Sequence, residues 1–470
     1  MLFNSFEFAI FLPVVFLLYW FVFNKNVKWQ NLFLLVVSYI FYGWWDWRFL
    51  LLIAFSTTLD FCVGVQLAKI NNNKKRKLIF SLSCLVNLGF LGFFKYYNFF
   101  IDNFISACDN LGYHPSITVI KIILPVGISF YTFQSLSYTA DVYLEKTKPT
   151  SDFILFAAFI SFFPQLVAGP IERAINLLPQ FENKRRFNYE EAKQGMQQIL
   201  WGLFKKIVIA DSLSVYVDQI FGSYNTLPGS TLLLGAIYFS IQIYCDFSGY
   251  SSIAIGTAKL FGFTLMQNFS YPYFSKNVAE FWRHWHISLS TWFRDYVYIP
   301  LGGSRGTLSK VILNTLIVFA LSGLWHGANW TFIVWGLLNG LFIIPTIILS
   351  KNKNKQSSTI ILNALKIVFT FFLITLTWVF FRSQNISQAF EYLAILFSKS
   401  LFTYPVKHGV ALALPLILIL FVIEFIRKNK VEFFQPKKLP VFARWSAYLI
   451  MIITCLAFFK QNQAFIYFQF

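Results

Sequence analysis

Two histidines with polar and aromatic neighbours are the residues of this chain best suited to acid–base chemistry. His326 lies in the segment GLWHGANW (323–330), and apolar sequence flanks it over 311–321 and 331–349. An ionisable side chain at membrane depth is energetically costly and by default marks a functional site. The pKa of histidine also suits proton transfer near neutral pH. The alternative is a structural histidine at a helix end, bonded to a backbone carbonyl.

A second polar segment, EFWRHWHISLSTWFRDY (280–296), interleaves histidines, arginines and acids with aromatic residues. On one continuous helix, Arg283 and His286 share a face at a spacing of three, and Ser290 follows His286 by four. Such a face can line an aqueous tunnel while the aromatic side chains pack outward. An amphipathic helix at the membrane interface is the alternative. Because aromatic residues occur almost all round this helix, the pattern favours burial in protein.

Composition places these residues in a membrane protein. The chain has 470 residues, of which 57% are hydrophobic, 20% aromatic and only 13% charged. Soluble domains carry roughly 25% charged residues, so the sequence predicts a polytopic membrane protein. The polar stretches are the size of loops, and we therefore expect a single transmembrane domain over 1–470.

The formal net charge of +19 does not indicate nucleic-acid binding. Basic residues occur in short blocks between apolar stretches, which is the positive-inside pattern of cytoplasmic loops. Lys25 and Lys28 are expected on the cytoplasmic side as well. The five cysteines lie far apart with no CxxC pair, so they predict neither a disulfide nor a metal site. The basic blocks are 74–77, 184–186, 351–355, 427–430 and 437–438.

Apolar windows of about the length that a bilayer requires predict about eleven transmembrane helices. The first window lacks a positive n-region and a small-residue cleavage site, which favours an uncleaved span over a signal peptide. Three regions, 117–143, 187–221 and 265–305, are too polar for simple spans and predict re-entrant or tilted helices inside the protein. The windows are 6–23, 30–45, 49–68, 78–101, 152–169, 231–245, 310–324, 330–350, 360–381, 410–426 and 443–460.

The long motifs in the sequence resemble a known family. FWRHWHISLSTWFRDYVYIPLGG (281–303) and GLWHGANWTFIVWGLLNG (323–340) are similar to segments of the membrane-bound O-acyltransferases, within them the bacterial alginate and peptidoglycan O-acetylation branch. PQLVAGPIER (164–173), CDFSGYS (245–251), WVFFR (378–382) and FIYFQF (465–470) match the same branch. The resemblance implies an all-α protein in which a ring of about eleven transmembrane helices surrounds re-entrant helices and a central tunnel.

By this resemblance the catalytic histidine is His326 and a second, less strictly required polar position is His286; no role extends to His284. We expect acetyl transfer from a thioester to a hydroxyl, with His326 as the general base. His286, Asn329 or a backbone N–H would stabilise the oxyanion, and Arg294 and Asp295 would pair to hold the buried helix. The expected tunnel residues are Trp325, Asn329, Arg283, Ser290 and Asp246, although Asp246 fits a purely hydrogen-bonding role equally well.

The resemblance also implies acetyl-CoA as donor substrate, no metal, no bound cofactor, and a bacterial inner-membrane location. The acetyl acceptor would be an extracytoplasmic partner, either an SGNH-type (serine-hydrolase-like) acetyltransferase or a tyrosine-bearing protein. The chain is rich in Lys, Asn, Ile and Phe and uses Lys far more than Arg, as AT-rich genomes tend to impose. Because we expect alginate producers to have GC-rich genomes, this composition favours peptidoglycan over alginate as the polymer. Alternatives are alginate or another exopolysaccharide, D-alanyl transfer to teichoic acid, a proton-coupled transporter, or a structural scaffold.

Overall fold

The regular secondary structure is all helical in the part of the chain that the computed structural model describes, which comprises 1–115, 120, 122–349, 359–406, 409–428, 440–460 and 465–466. No strand occurs within those residues, and the all-α prediction is confirmed. The predicted basic blocks at 351–355 and 437–438, part of the block at 427–430, and the last four residues of FIYFQF lie outside them.

The chain divides into two compact units, unit 1 (1–195 with 257–266) and unit 2 (196–256 with 267–470). The first ten helices are α1 Phe6–Leu17, α2 Val27–Asp46, α3 Leu50–Lys69, α4 Asn73–Leu91, α5 Tyr97–Asn110, α6 Ile128–Tyr143, α7 Phe153–Ser161, α8 Phe163–Leu166, α9 Ala174–Glu182 and α10 Tyr189–Leu203. The next ten are α11 Asp211–Gly222, α12 Gly229–Leu260, α13 Val278–His284, α14 Ile287–Phe293, α15 Leu308–His326, α16 Trp330–Leu349, α17 Ile360–Arg382, α18 Ile386–Leu396, α19 Val410–Arg427 and α20 Val441–Phe458. Helices α10 and α12 contribute residues to both units.

Eight helical segments among the described residues are long and apolar enough to cross a bilayer, as a multi-pass membrane protein requires. Nine of the eleven predicted windows correspond to these segments, because Val27–Lys69 accounts for two windows. The eight are Val27–Lys69, Asn73–Asn110, Gly229–Leu260, Leu308–His326, Trp330–Leu349, Ile360–Arg382, Val410–Arg427 and Val441–Phe458.

The two remaining windows differ from the expected simple spans. Phe6–Val22 is a shorter apolar helix, and the window at 152–169 breaks into α7 and α8, whose side chains are almost all buried. Pro164 lies in the first turn of α8, where its missing N–H is tolerated, but it cannot continue α7. The apolar window therefore reflects burial in protein rather than a helix that faces lipid.

Unit 1 contains a polar cluster within its apolar helices. Asp60 of α3 is fully buried and accepts hydrogen bonds from Ser83 Oγ at 2.5 Å, from Asn87 Nδ2 at 2.9 Å and from Ser135 Oγ. These donors belong to α4 and α6, two of the helices that pack on α3. The mixed polarity of α6, which disfavoured a simple span in the sequence, thus corresponds to a helix whose residues 128–142 are all buried.

In unit 2, α15 and α16 form a closely packed pair on glycines. A Cβ at Gly323 would lie 2.2 Å from the carbonyl oxygen of Phe332, and one at Gly336 would lie 2.2 Å from that of Phe319. Only glycine permits two helix backbones to approach so closely, as at small-residue contacts in membrane proteins. This contact sets the position of the end of α15, where His326 lies.

Candidate active site

His326 is the last residue of α15 and is buried. The chain then turns at Gly327, where a Cβ would lie 2.1 Å from the ring of Phe332, and α16 begins at Trp330. The carboxyl end of a helix carries partial negative charge, which favours a positive charge on a side chain beside it. An imidazole that accepts a proton during a reaction is therefore well placed at this position.

His286 lies at a break between two short helices, so the predicted continuous helix over 280–296 is wrong. Helix α13 ends at His284, and His286 is the N-cap of α14 with φ 45° and ψ 54°. This left-handed conformation is uncommon and strained for a residue other than glycine, and such strain is concentrated at functional sites. The shared helical face that we predicted for Arg283 and His286 does not form.

Asn268 holds the strained turn in place. Its carbonyl oxygen accepts from the Ile287 N–H at 2.9 Å, and its side-chain Oδ1 accepts from the Ser288 hydroxyl at 2.9 Å. The N–H of Ser290 closes the first turn of α14 on the carbonyl of His286 at 2.9 Å. Sequence reasoning missed Asn268, because its partners are brought to it only by tertiary folding.

The structure brings the two predicted catalytic histidines together. The ring centroids of His286 and His326 are 6.3 Å apart, and the ring of Trp325 contacts both, at 5.9 Å and 5.0 Å. Phe247 lies edge-on to His286 at 4.6 Å. Two polar rings are thus enclosed by aromatic walls, an environment of low dielectric that strengthens electrostatic interactions.

Burial also determines the charge of His286. His286 lies outside the eight apolar segments that could cross the bilayer. Its burial in protein removes solvation from the imidazole and lowers the pKa of His286 to about 3 from the ordinary 6.5. His286 is therefore neutral at physiological pH, with one ring nitrogen as donor and the other as acceptor. It suits a positioning role better than the role of a charged acid.

Three other predicted tunnel residues are bonded to the backbone. The Oδ1 of Asn329 accepts from the Thr331 N–H at 3.0 Å and its Nδ2 donates to the carbonyl of Gln384 at 2.8 Å, so the side chain caps α16. Ser290 Oγ donates to the carbonyl of Trp285 at 3.2 Å. Arg283 is exposed and donates to the carbonyl of Ala279 at 3.2 Å. Their tunnel roles stay predictions.

Arg294 and Asp295 form the expected ion pair at 2.8 Å, but their side chains are 59% and 29% exposed. The prediction that they hold a buried helix is therefore wrong. Exposed ion pairs contribute little to stability, because water screens both charges.

Asp246 instead belongs to a buried ion cluster. Lys206 Nζ lies 2.8 Å from Asp246 and 2.7 Å from Asp211, and Asp246 also accepts from the Ile466 N–H at 2.7 Å. The neighbouring Lys205 donates to Ser248 Oγ at 2.9 Å. Both lysines lie in a π-helix over Phe204–Ala210, a geometry that is frequent at functional sites. Asp246 thus accepts hydrogen bonds, one of the two roles that the sequence left open.

The sequence analysis did not identify two tryptophans, one in contact with His326 and one stacked on the first. Trp335 of α16 lies edge-on to His326 at 5.1 Å, and Trp378 of α17 stacks on Trp335 at 5.5 Å. Both are 1% exposed, and no described residue accepts a hydrogen bond from either indole N–H. By contrast, the indole of the neighbouring Trp282 donates to Asn339 Oδ1 at 3.2 Å. Trp378 lies in the WVFFR motif, which was the available signal.

Residues 144–382 match the membrane-bound O-acyltransferase family and include both histidines and both tryptophans. The chain is 41% identical to the probable alginate O-acetylase AlgI of Pseudomonas aeruginosa over 85% of this chain and 75% of that protein. It is 34% identical to the peptidoglycan O-acetyltransferase of Helicobacter pylori over 100% of this chain and 98% of that one. It is 29% identical to the teichoic acid D-alanyltransferase of Bacillus subtilis over 49% of this chain and 60% of that protein.

The chain therefore belongs to the membrane-bound O-acyltransferase family, as its motifs predicted. It is an O-acyltransferase that spans the membrane several times, acts on an acyl donor, and works within a lipid bilayer.

Proposed function

We propose that this protein takes acetyl from cytoplasmic acetyl-CoA and passes it across the bacterial inner membrane to an extracytoplasmic acceptor for O-acetylation of peptidoglycan. The observation that carries the proposal is the buried pair of His326 and His286, whose ring centroids are 6.3 Å apart within the segment that matches the family. The acceptor would be an SGNH-type acetyltransferase or a tyrosine-bearing protein that modifies the polymer.

His326 is the general base in this proposal. It takes the proton of the acceptor hydroxyl as the hydroxyl oxygen attacks the thioester carbonyl. The carbon–sulfur bond then breaks, and the proton passes from His326 to the departing thiolate, so CoA leaves as the thiol. The positive charge that His326 carries in between lies at the carboxyl end of α15, where the helix stabilises it. Neutral His286 positions the hydroxyl.

Trp335 is the best-placed donor for the oxyanion in the same step. Its indole N–H is buried beside His326 with no acceptor among the described residues. A buried donor without an acceptor costs about 1–3 kcal/mol, and a substrate carbonyl oxygen would relieve that cost. The bond strengthens as the oxygen becomes negative, so it stabilises the transition state more than the bound substrate. Trp378 offers a second indole N–H behind it.

Alginate is the second candidate polymer. The Pseudomonas aeruginosa relative has the higher identity, 41%, whereas the Helicobacter pylori relative aligns with the whole chain. The end-to-end alignment with the Helicobacter pylori relative supports the peptidoglycan proposal. Quantifying base-labile acetyl on each polymer, in cells with and without the gene, distinguishes the two.

The transfer itself is tested in proteoliposomes, with radiolabelled acetyl-CoA on one side and the partner domain on the other. We expect His326→Gln to lower label transfer by about 10²–10⁴, the usual contribution of acid–base catalysis. The matched control is His284→Gln, since His284 lies in the same motif but is half-buried, near Ser275. Wild-type transfer by folded His326→Gln, or an equal loss in both variants, would contradict the proposal.

A further inference from the structure

A basic pocket lies in unit 1, outside the residues that the proposed chemistry uses. It has a volume of about 520 Å³ and contains four cationic side chains and no acidic one. We define the basic pocket by Trp20 and Phe187 and by these cations, which are Lys25, Lys184, Arg185 and Arg186.

Arg185 supplies a fixed positive charge at the base of the pocket. It is buried, and its guanidinium donates to Asn31 Oδ1 at 2.7 Å, to Gln30 Oε1 at 2.8 Å and to the backbone carbonyl of Phe181 at 3.3 Å. All of these acceptors are neutral. The charge is therefore held rigidly but not neutralised, as a site for an anion requires.

The other three cations are exposed at the opening of the basic pocket. Lys25 follows the first apolar helix, whereas Lys184 and Arg186 flank Arg185. No ion pair among the described residues includes any of the four. Four like charges placed this close together repel one another, and a bound anion would relieve that repulsion.

Aromatic and apolar side chains form the remaining walls. The indole N–H of Trp20 donates to the carbonyl of Leu260 at 2.9 Å, and Phe187 packs edge-on against Trp20 at 5.6 Å. Phe21, which also lines the pocket, is 75% exposed, and Leu17 one turn earlier is 53% exposed. Exposed large apolar residues on a helix of a membrane protein are suited to contact with acyl chains.

We propose that the basic pocket binds the phosphate headgroup of an anionic phospholipid in the cytoplasmic leaflet. The positive-inside pattern places Lys25 and the block at 184–186 on that side, and basic pockets between membrane helices bind such headgroups. The phosphate contacts the three exposed cations and is attracted by the fixed charge of Arg185, whose N–H groups donate to protein acceptors. The acyl chains follow Leu17 and Phe21. The phosphates of CoA share this headgroup chemistry, but CoA has no acyl chains to cover the apolar face.

The test compares two triple variants that each remove three exposed positive charges. Lys25→Gln/Lys184→Gln/Arg186→Gln changes the pocket, whereas Lys74→Gln/Lys75→Gln/Lys77→Gln changes a basic block outside the pocket. Affinity for phosphatidylglycerol and for phosphatidylcholine is measured by native mass spectrometry of the purified, delipidated protein, with an unchanged melting temperature as the folding criterion.

We expect phosphatidylglycerol affinity to fall about 100-fold in the pocket variant, since each cation near a headgroup contributes on the order of a fivefold change. The control variant should stay within about threefold of wild type, because its three lysines do not line the pocket and salt screens exposed charges that are not in contact with the headgroup. Phosphatidylcholine should bind weakly to all three. An equal loss in both variants, or displacement of the lipid by free CoA, would overturn the proposal.

Discussion

Replacing Trp335 by Phe tests the proposed oxyanion donor while an aromatic ring is retained. The substitution removes an indole N–H from which no described residue accepts a hydrogen bond. Loss of one oxyanion donor lowers kcat by about 10²–10³, or about 2.7–4 kcal/mol of transition-state stabilisation. Because the bond strengthens only as charge develops on the oxygen, we expect the effect in kcat with little change in KM.

The matched control is Trp282→Phe, which removes the same atoms from a ring 5.5 Å from that of Trp335. Here the indole N–H donates to Asn339 at 3.2 Å, so the substitution leaves a buried acceptor without its donor. That costs about 1–3 kcal/mol of stability. Trp335→Phe creates no such orphan. We therefore expect Trp282→Phe to have the lower melting temperature and Trp335→Phe the lower kcat.

The assay is steady-state transfer of labelled acetyl in proteoliposomes, with thermal unfolding of each variant in the same lipid. If kcat falls equally in Trp335→Phe and Trp282→Phe, ring packing rather than the N–H explains the effect. If Trp335→Phe retains the kcat of wild type, the oxyanion lies elsewhere and the assignment is refuted.

Three further predictions concern the elements around the site. Gly323→Ala should lower both transfer and melting temperature, because its Cβ would lie 2.2 Å from a backbone oxygen of Phe332, whereas Gly89→Ala, with nothing within 4 Å, should be neutral or stabilising. Lys206→Gln should destabilise the fold by about 3–5 kcal/mol, since it leaves two buried carboxylates without their cation; an unchanged thermal unfolding curve would contradict this. The pKa of His286 is about 3 in the fold and ordinarily 6.5. Because this histidine is therefore protonated in the unfolded chain before the folded one, the free energy of unfolding should decrease as pH falls below about 6.5. His286→Gln should abolish that part of the pH dependence of the melting temperature.

The sequence by itself determined the class of the protein and singled out His326 as the candidate catalytic residue. Charged residues are too few for a soluble domain, and basic blocks alternate with apolar stretches, so a helical membrane protein follows from solvation alone. His326 stood out for the same reason, because an ionisable group amid apolar sequence is costly wherever it is placed. These conclusions depend on local composition, which a linear sequence records directly.

Tertiary structure decided which apolar helices are interior and how the site is assembled. Hydropathy cannot distinguish a helix that faces lipid from one that faces protein, so the window at 152–169 resembled a span although its residues are buried. The break at His286 depends on hydrogen bonds that Ile287 and Ser288 donate to Asn268, a residue on another segment. Likewise, Trp335 lies against His326 only because α15 and α16 meet at Gly323. Contacts between distant segments depend on packing, and no local pattern in the sequence predicts them.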